Sequence, residues 1–314
     1  MKHFLKETDF SEDEIRGIFS HATELKQSRT ESPYEALRGQ TWGLLFYKQS
    51  TRTRVSCEVG INELGGHALM LDQGGMQIGR GESIHDTAKV LSRYLHGLVI
   101  RTFGQEIIEE FAEHAGIPVV NALTDLLHPC QIYADCLTIA EKLGDPREPF
   151  ASLAGKKLAF LGDTACNMAN SWILAGALFG MKISLGGPES FSPGQAIREL
   201  LGAEGFPSDF HFTTDPAEAV TDADVVYTDV WVSMGCEEEE EARIETMKPY
   251  AVTAEILAQA KPDALFMHCM PTHPGLEVAQ EVLDSPQAII FDQAENRLHM
   301  QKAILANLAD ASAS

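Results

Sequence analysis

Basic residues are scarce in this sequence of 314 residues: 24 Lys and Arg stand against 46 Asp and Glu, a formal net charge of -22. A surface of that sign repels nucleic acid and anionic membranes, so neither is expected as a partner, and any anion must be held by a local cluster of cations. The six cysteines (Cys57, Cys130, Cys136, Cys166, Cys236 and Cys269) contain no CxxC pair and no short, even spacing. That argues against a disulfide framework and a zinc ribbon, and for a reducing compartment. No apolar run reaches membrane-spanning length, and the opening MKHFLKETDFSEDEI has neither an apolar signal core nor an Arg-rich amphipathic presequence, so a cytoplasmic location is expected. Also missing is the fingerprint G-x-G-x-x-G. LGDTAC follows an apolar run as the opening of a dinucleotide fold would, but without those glycines no nicotinamide cofactor is expected.

What the chain does contain is alternation. Short apolar, β-branched runs (TWGLLFY, HALMLD, GLVIRTF, IPVVNAL, then KKLAFLGD, MKISLGG, FHFTTD, DVVYTDV, ALFMHC and AIIFD) are separated by helical patterns at 83–96, 105–115, 129–143 and 168–179. This is the signature of parallel sheets covered on both faces. The length allows two domains, and the segment 141–157, rich in Pro, Gly and charge, is the break between them. The expected fold is α/β, two doubly wound parallel-sheet domains joined by helices, spanning 1–145 and 146–293.

Ligands of open α/β sheets sit beyond the carboxyl ends of the strands. That rule selects STRTR after 41–47, Arg101 at the end of 98–103, His128 and Gln131 after 118–123, GDTACNMANS after 157–162, SMGCEEEEE after 224–229 and CMPTH after 264–268. In the first of these, Ser50, Thr51, Arg52, Thr53 and Arg54 stand where a helix begins. One hydroxyl there is an ordinary cap, but hydroxyls and guanidinium groups together at a positive helix end make a site for a phosphate-like dianion. The acidic run 237–241 reads as a solvated loop or helix start, because consecutive carboxylates cannot all face one ion. His268, Cys269 and His273 are zinc-ligating types, yet without a second convergent cluster a core-edge or catalytic role is expected, and no metal.

Eight motifs in order resemble the carbamoyltransferases, most closely the ornithine carbamoyltransferases, over nearly the whole chain: STRTR (50–54), MQIGRGESIHDTAKVLSRY (76–94), IRTFGQ (100–105), HPCQ (128–131), GDTACNMANS (162–171), DVWVSMG (229–235), HCMP (268–271) and FDQAENRLHMQKAIL (291–305). The first marks the whole group; SMG and HCMP separate the ornithine branch from the aspartate branch. Departures are Met270 where Leu is common, Cys57 in the opening helix, and Cys166 where Asn often precedes the matched Asn167.

The resemblance implies transfer of a carbamoyl group from carbamoyl phosphate to the δ-amine of L-ornithine, giving L-citrulline, the chemistry of arginine biosynthesis, with no cofactor. It implies an N-terminal carbamoyl-phosphate domain on which a last helix, 294–314, packs back, a C-terminal ornithine domain, and a homotrimer with shared active sites. Carried over residue by residue, the carbamoyl-phosphate set is Ser50, Thr51, Arg52, Thr53, Gln77 (from a neighbouring subunit), Arg101, His128, Gln131, Cys269, Met270 and Arg297. The ornithine set is Asn167, Asp229, Ser233 and Met234, and the catalytic groups are Arg101, His128, Cys269 and Asp229. Rival readings are a carbamoyltransferase for an N-acylated ornithine or another amine, and a non-catalytic paralogue. The second would be expected to have lost Arg52, Arg101, His128 or Arg297, and all four are present.

Overall fold

A computed structural model describes residues 1–29, 34–72, 81–232 and 240–313. The chain divides into two compact units, Met1–Ser152 with Ala294–Ser314, and Leu153–Gln293.

The first unit runs α1 (Glu12–Gln27), β1 (Thr41–Phe46), α2 (Thr51–Glu63), β2 (His67–Asp72), α3 (Ile84–Leu91), β3 (Gly97–Arg101), α4 (Gln105–His114), β4 (Val119–Leu123) and α5 (Pro129–Leu143), with α6 (Pro149–Leu153) at its limit. Its four strands are parallel in the order β2-β1-β3-β4. β1 and β3 read as unbroken apolar runs because helices cover both faces, and every residue of β3 is buried. Ile108 and Phe111 of α4 pack with Leu45, Leu98, Ile100 and Val119 from the strands. α1 starts at a capping box, Ser11 accepting from the Glu14 N–H while Glu14 reaches back to Ser11. From β1 the chain first lays β2 on one side, then crosses to lay β3 on the other. The crevice of this sheet therefore opens between the carboxyl ends of β1 and β3.

The second unit runs β5 (Lys157–Leu161), α7 (Asn167–Phe179), β6 (Lys182–Gly186), α8 (Gln195–Ala203), β7 (His211–Thr213), α9 (Pro216–Val220), β8 (Val225–Thr228), α10 (Glu240–Met247), α11 (Ala254–Leu257), β9 (Leu265–His268) and α12 (Gln280–Leu283). Its parallel order, β7-β6-β5-β8-β9, reverses between β5 and β8, which puts the crevice at their carboxyl ends. α10 begins inside the acidic run, at Glu240.

One strand expected from the sequence is not there. AIIFD (288–292) makes a single parallel bridge, Ala288 to Phe266, and from Ile290 the backbone enters the long α13 (Ile290–Ala313). Phe266 N–H donates to the Gln287 carbonyl and Ile289 N–H to that of Phe266, so β9 is flanked for one residue pair only. A four-residue apolar run is ambiguous between strand and helix, and the helical sequence that follows it, uninterrupted by Gly or Pro, decided for helix.

Candidate active site

In the first unit, Ser50 is the N-cap of α2, in extended backbone, and its hydroxyl accepts from the Thr53 N–H. The first turn holds no acidic residue, so the positive helix end is not offset from within its own turn. Arg52 is half-buried and Thr53 buried, whereas Arg54 faces outward, 3.8 Å from Glu58. Arg101 ends β3 opposite Phe46, and the β3–β4 register shifts between Ile100 and Arg101. Such an irregularity re-aims the side chain at the strand's end. His128 is the N-cap of α5, followed by Pro129 at the position where a missing N–H costs nothing. Arg297 arrives from α13, and its Nη2 donates to Thr53 Oγ1 at 2.6 Å. Arg101, His128, Gln131 and Arg297 are all buried.

Burial, together with those cations, decides the state of His128. Burial, then Arg297, then Arg101 hold its pKa well below 6.5, so the imidazole is neutral at physiological pH. It can donate one ring N–H without itself bearing charge. The unfolded imidazole takes up a proton below about 6.5, which the folded one refuses, so stability is lost as pH falls from 6.5 toward the depressed value. His128→Asn is expected to flatten that part of the acid melting profile, measured by calorimetry between pH 5 and 7. An unchanged slope would show that His128 is not the group responsible.

Cys57, the departure in α2, has a structural place. Its thiol lies 3.4 Å from Gln301 Oε1, and burial pushes its pKa up to about 12 against the pull of Arg297. A thiol so protonated is inert.

In the second unit, Gly162 follows β5 at φ +114, a conformation that other residues rarely adopt, and a side chain there would also meet the Trp231 indole. The turn delivers Asp163, whose Oδ1 accepts from the Ala165 N–H, and then Asn167 as the first residue of α7. Thr228 and His268 pair across β8 and β9, so the next residues, Asp229 and Cys269, emerge side by side. Cys269 Sγ donates to Asp229 Oδ1 at 3.0 Å, and the same oxygen accepts from the Val230 N–H at 2.8 Å. His268 Nδ1 accepts from the Met270 N–H at 2.8 Å, which leaves its proton on Nε2, 3.4 Å from the buried carboxylate of Glu277. Met270 stands at φ +62, a strained conformation for a side chain of its size.

Ligand atoms of Asp229, His268 and Cys269 lie within 4.8 Å of one another. The Nδ1 lone pair of His268 is engaged by the Met270 N–H and its Nε2–H faces Glu277, so this imidazole has no lone pair to give an ion.

Reasoning from the sequence missed Asp163 as a charged group of this edge, and its partner. Arg243 of α10 donates to Asp163 Oδ2 at 3.0 Å and lies over the Phe191 ring. Burial, with Asp229 adding to it, raises the Asp163 pKa against the Ala165 N–H and Arg243. Arg243→Gln is expected to destabilise the protein by ~1.5–3 kcal/mol, the scale of a hydrogen bond to a charged group, since it leaves a nearly buried carboxyl without its cation. Adding Asp163→Asn should recover most of that loss; equal costs for the single and double variants, by denaturant melting, would rule out the pairing. Glu277 was missed too, because nothing near it in sequence announces a buried carboxylate.

Ser50, Thr51, Arg52, Thr53, Arg101, His128, Gln131 and Arg297 thus belong to the first unit, and Asn167, Asp229, Cys269 and Met270 to the second. Gln77, Ser233 and Met234 lie outside the described residues. Residues 2–141 match the aspartate/ornithine carbamoyltransferase carbamoyl-P binding domain, and 154–308 the Asp/Orn binding domain of the same enzymes.

The chain belongs to the aspartate/ornithine carbamoyltransferase family. Within that family it is 49% identical to an ornithine carbamoyltransferase of Methanoculleus marisnigri over 98% of this chain and 96% of that protein. Among solved structures it is similar to the ornithine carbamoyltransferase of Pyrococcus furiosus, with TM-score 0.89, 41% identity and coverage of 98% and 97% of the two chains. The anabolic ornithine carbamoyltransferase of Campylobacter jejuni matches with TM-score 0.88 and 36% identity over 99% and 100%. Membership of this family and the α/β architecture agree with the sequence reading.

Proposed function

We propose that this chain transfers the carbamoyl group of carbamoyl phosphate to the δ-amine of L-ornithine, forming L-citrulline and phosphate. The observation that carries this reading is the meeting of a cation-bearing helix start, Arg101, a neutral His128 and Arg297 around one sheet's crevice, in a family member that is 49% identical to an ornithine carbamoyltransferase. The reaction needs no redox or covalent intermediate: the amine attacks the carbamoyl carbon, a tetrahedral species forms, and the C–O bond to phosphate breaks.

In this reading the domain spanning 1–145, with 294–314, binds carbamoyl phosphate, and 146–293 binds ornithine. The Ser50 and Thr51 hydroxyls, Arg52, and the backbone N–H groups of the α2 start take the phosphate and hold it more tightly as it gains charge. Arg101, His128 and Arg297 polarise the carbamoyl oxygen, with Thr53 oriented by Arg297. Fixed donors in a dry site each contribute ~2.7–4 kcal/mol to lowering such a barrier. Gln131 takes the carbamoyl NH2, and Asn167, Asp229, Ser233 and Met234 take the α-amino and α-carboxylate groups of ornithine. The δ-amine has a pKa near ~10.4 in water and must lose a proton to react. Cys269 and Asp229, already joined by a hydrogen bond, with the Cys269 and Met270 carbonyls, serve that end.

Purified protein offered carbamoyl phosphate with ornithine, N-acetylornithine, putrescine or aspartate should carbamoylate ornithine alone. Preference for another amine would replace the substrate assignment, and no product with any of them would favour the non-catalytic reading. The cytoplasmic assignment rests on the five described cysteines, all unbridged, and no helix among the described residues is long and apolar enough to cross a membrane.

The homotrimer is part of the same proposal, with Gln77 serving a neighbour's phosphate. Dissociating and reassembling a mixture of inactive Gln77→Ala and Arg101→Ala variants should restore part of the activity, because some mixed sites carry neither lesion. No recovery in mixed trimers would overturn the sharing.

A further inference from the structure

Gln131 and Asp135 stand four residues apart on α5 and so share one face of the helix, and both are buried to 1% exposure or less. An isolated glutamine amide is ambiguous, since its oxygen and nitrogen ends are nearly the same shape. Here the neighbour removes the ambiguity. An aspartate carboxylate accepts hydrogen bonds and has none to donate, so the end of Gln131 that meets it must be the NH2. That is the arrangement found: Gln131 Nε2 donates to Asp135 Oδ1 at 2.8 Å. The other end follows by elimination. Gln131 Oε1 is buried and has no hydrogen-bond partner among the described residues. A buried polar atom in that state is completed by water, an ion or a ligand.

The same helix carries His128 at its N-cap, whose carbonyl accepts from the Gln131 N–H at 3.0 Å. The backbone of Gln131 thereby belongs to the turn that presents His128, and its side-chain amide is held by Asp135. Around this turn the first unit otherwise offers donors: the Arg101 and Arg297 guanidinium groups and the helix start of α2. An acceptor fixed among donors distinguishes the two ends of a carbamoyl group, whose oxygen needs donors and whose NH2 needs an acceptor.

We propose that Asp135 is a positioning residue that sets the polarity of the Gln131 amide, so that the site presents an acceptor to the carbamoyl NH2 and selects carbamoyl phosphate over acyl phosphates lacking an N–H there. This rests on the reading of Gln131 as a carbamoyl contact. Asp135 touches no substrate atom; it acts by forbidding the flipped amide. A site built around a buried acceptor rejects an isosteric methyl group because the acceptor is then left unpaired. Acetyl phosphate, a methyl in place of the NH2, is the natural discriminating probe.

The test is calorimetric titration with carbamoyl phosphate, acetyl phosphate and inorganic phosphate, of the wild type, Asp135→Asn, Gln131→Leu and the double variant. Asparagine keeps the shape of Asp135 but can offer either an oxygen or an NH2, which frees the Gln131 amide to turn. Carbamoyl phosphate should bind about tenfold more weakly to Asp135→Asn, the scale of one hydrogen bond, while inorganic phosphate, which has no NH2 to read, is held as before. In the Gln131→Leu background the Asp135 change should have no further effect on carbamoyl phosphate. Equal weakening of both ligands would make Asp135 merely structural, and an unchanged or additive effect on carbamoyl phosphate would also overturn the proposal. Should Asp135→Asn fail to fold, exchange of the Gln131 amide protons in the ligand-free wild type decides: slow exchange supports the anchored amide and fast exchange refutes it. A wild type that binds acetyl phosphate as tightly as carbamoyl phosphate would instead count against Gln131 as the carbamoyl contact.

Discussion

Arg101→Met is expected to lower kcat by about 100- to 1,000-fold, the loss typical of removing one preorganised donor to a developing oxyanion. Arg101 ends β3 in the crevice of the first sheet, re-aimed by the register shift beside it and only 8% exposed. Buried, its charge acts through a low dielectric, and nothing needs to reorganise when the carbamoyl oxygen gains charge. Methionine keeps much of the length and packing while deleting the cation and its donors. The same variant carries an internal check. Arg101 is one of three causes that depress the His128 pKa, after burial and Arg297, so its removal should let that pKa move back toward 6.5. Steady-state kinetics at saturating substrates measure the first effect and an NMR titration of the imidazole the second. Wild-type turnover would remove Arg101 from the reaction, and an unmoved His128 would mean that the two groups do not feel each other.

Asp229→Asn should reduce kcat/KM for ornithine by about 100- to 1,000-fold, the cost of one or two charge-assisted hydrogen bonds, and leave carbamoyl-phosphate affinity within twofold. Asp229 follows β8 at the crevice of the second sheet, with Oδ1 already accepting from the Val230 N–H and the Cys269 thiol. An ammonium group of ornithine would be the next donor. Asparagine is the same size but uncharged, and it directs an NH2 where a proton acceptor stood. Kinetics with ornithine and with 5-aminopentanoate, which keeps the reacting amine and lacks the α-ammonium group, separate two uses of the carboxylate. A similar loss on both assigns Asp229 to the δ-amine; a loss on ornithine alone assigns it to the α-ammonium. Unchanged kcat/KM would exclude it from both.

Much of the candidate site could be read from the chain because the signals are local. STRTR at a strand-to-helix junction implies a capped, cation-bearing helix start, and Ser50 does cap α2 through the Thr53 N–H. HPCQ implies a helix that starts at its proline, and α5 begins at Pro129. Asp163, Arg243, Glu277 and Asp135 could not be read that way. Each is an acid or base of unremarkable type whose importance comes from a partner elsewhere or from complete burial.

The alternation of strand and helix, the parallel sheets and the residues at the strand ends are determined by the sequence alone, since side-chain periodicity, proline and capping hydroxyls act within a few positions along the chain. Tertiary structure decided the rest. It left AIIFD one bridge to β9, at Ala288, before the chain enters α13. It brought Arg297 to Thr53 across 244 residues, set Asp229 beside Cys269 through the β8–β9 register, and made His128 neutral by burying it, with two arginines beside it. Charge state, hydrogen-bond polarity and adjacency depend on which groups share a low-dielectric space, and that is fixed by strand order and packing, which no local pattern encodes.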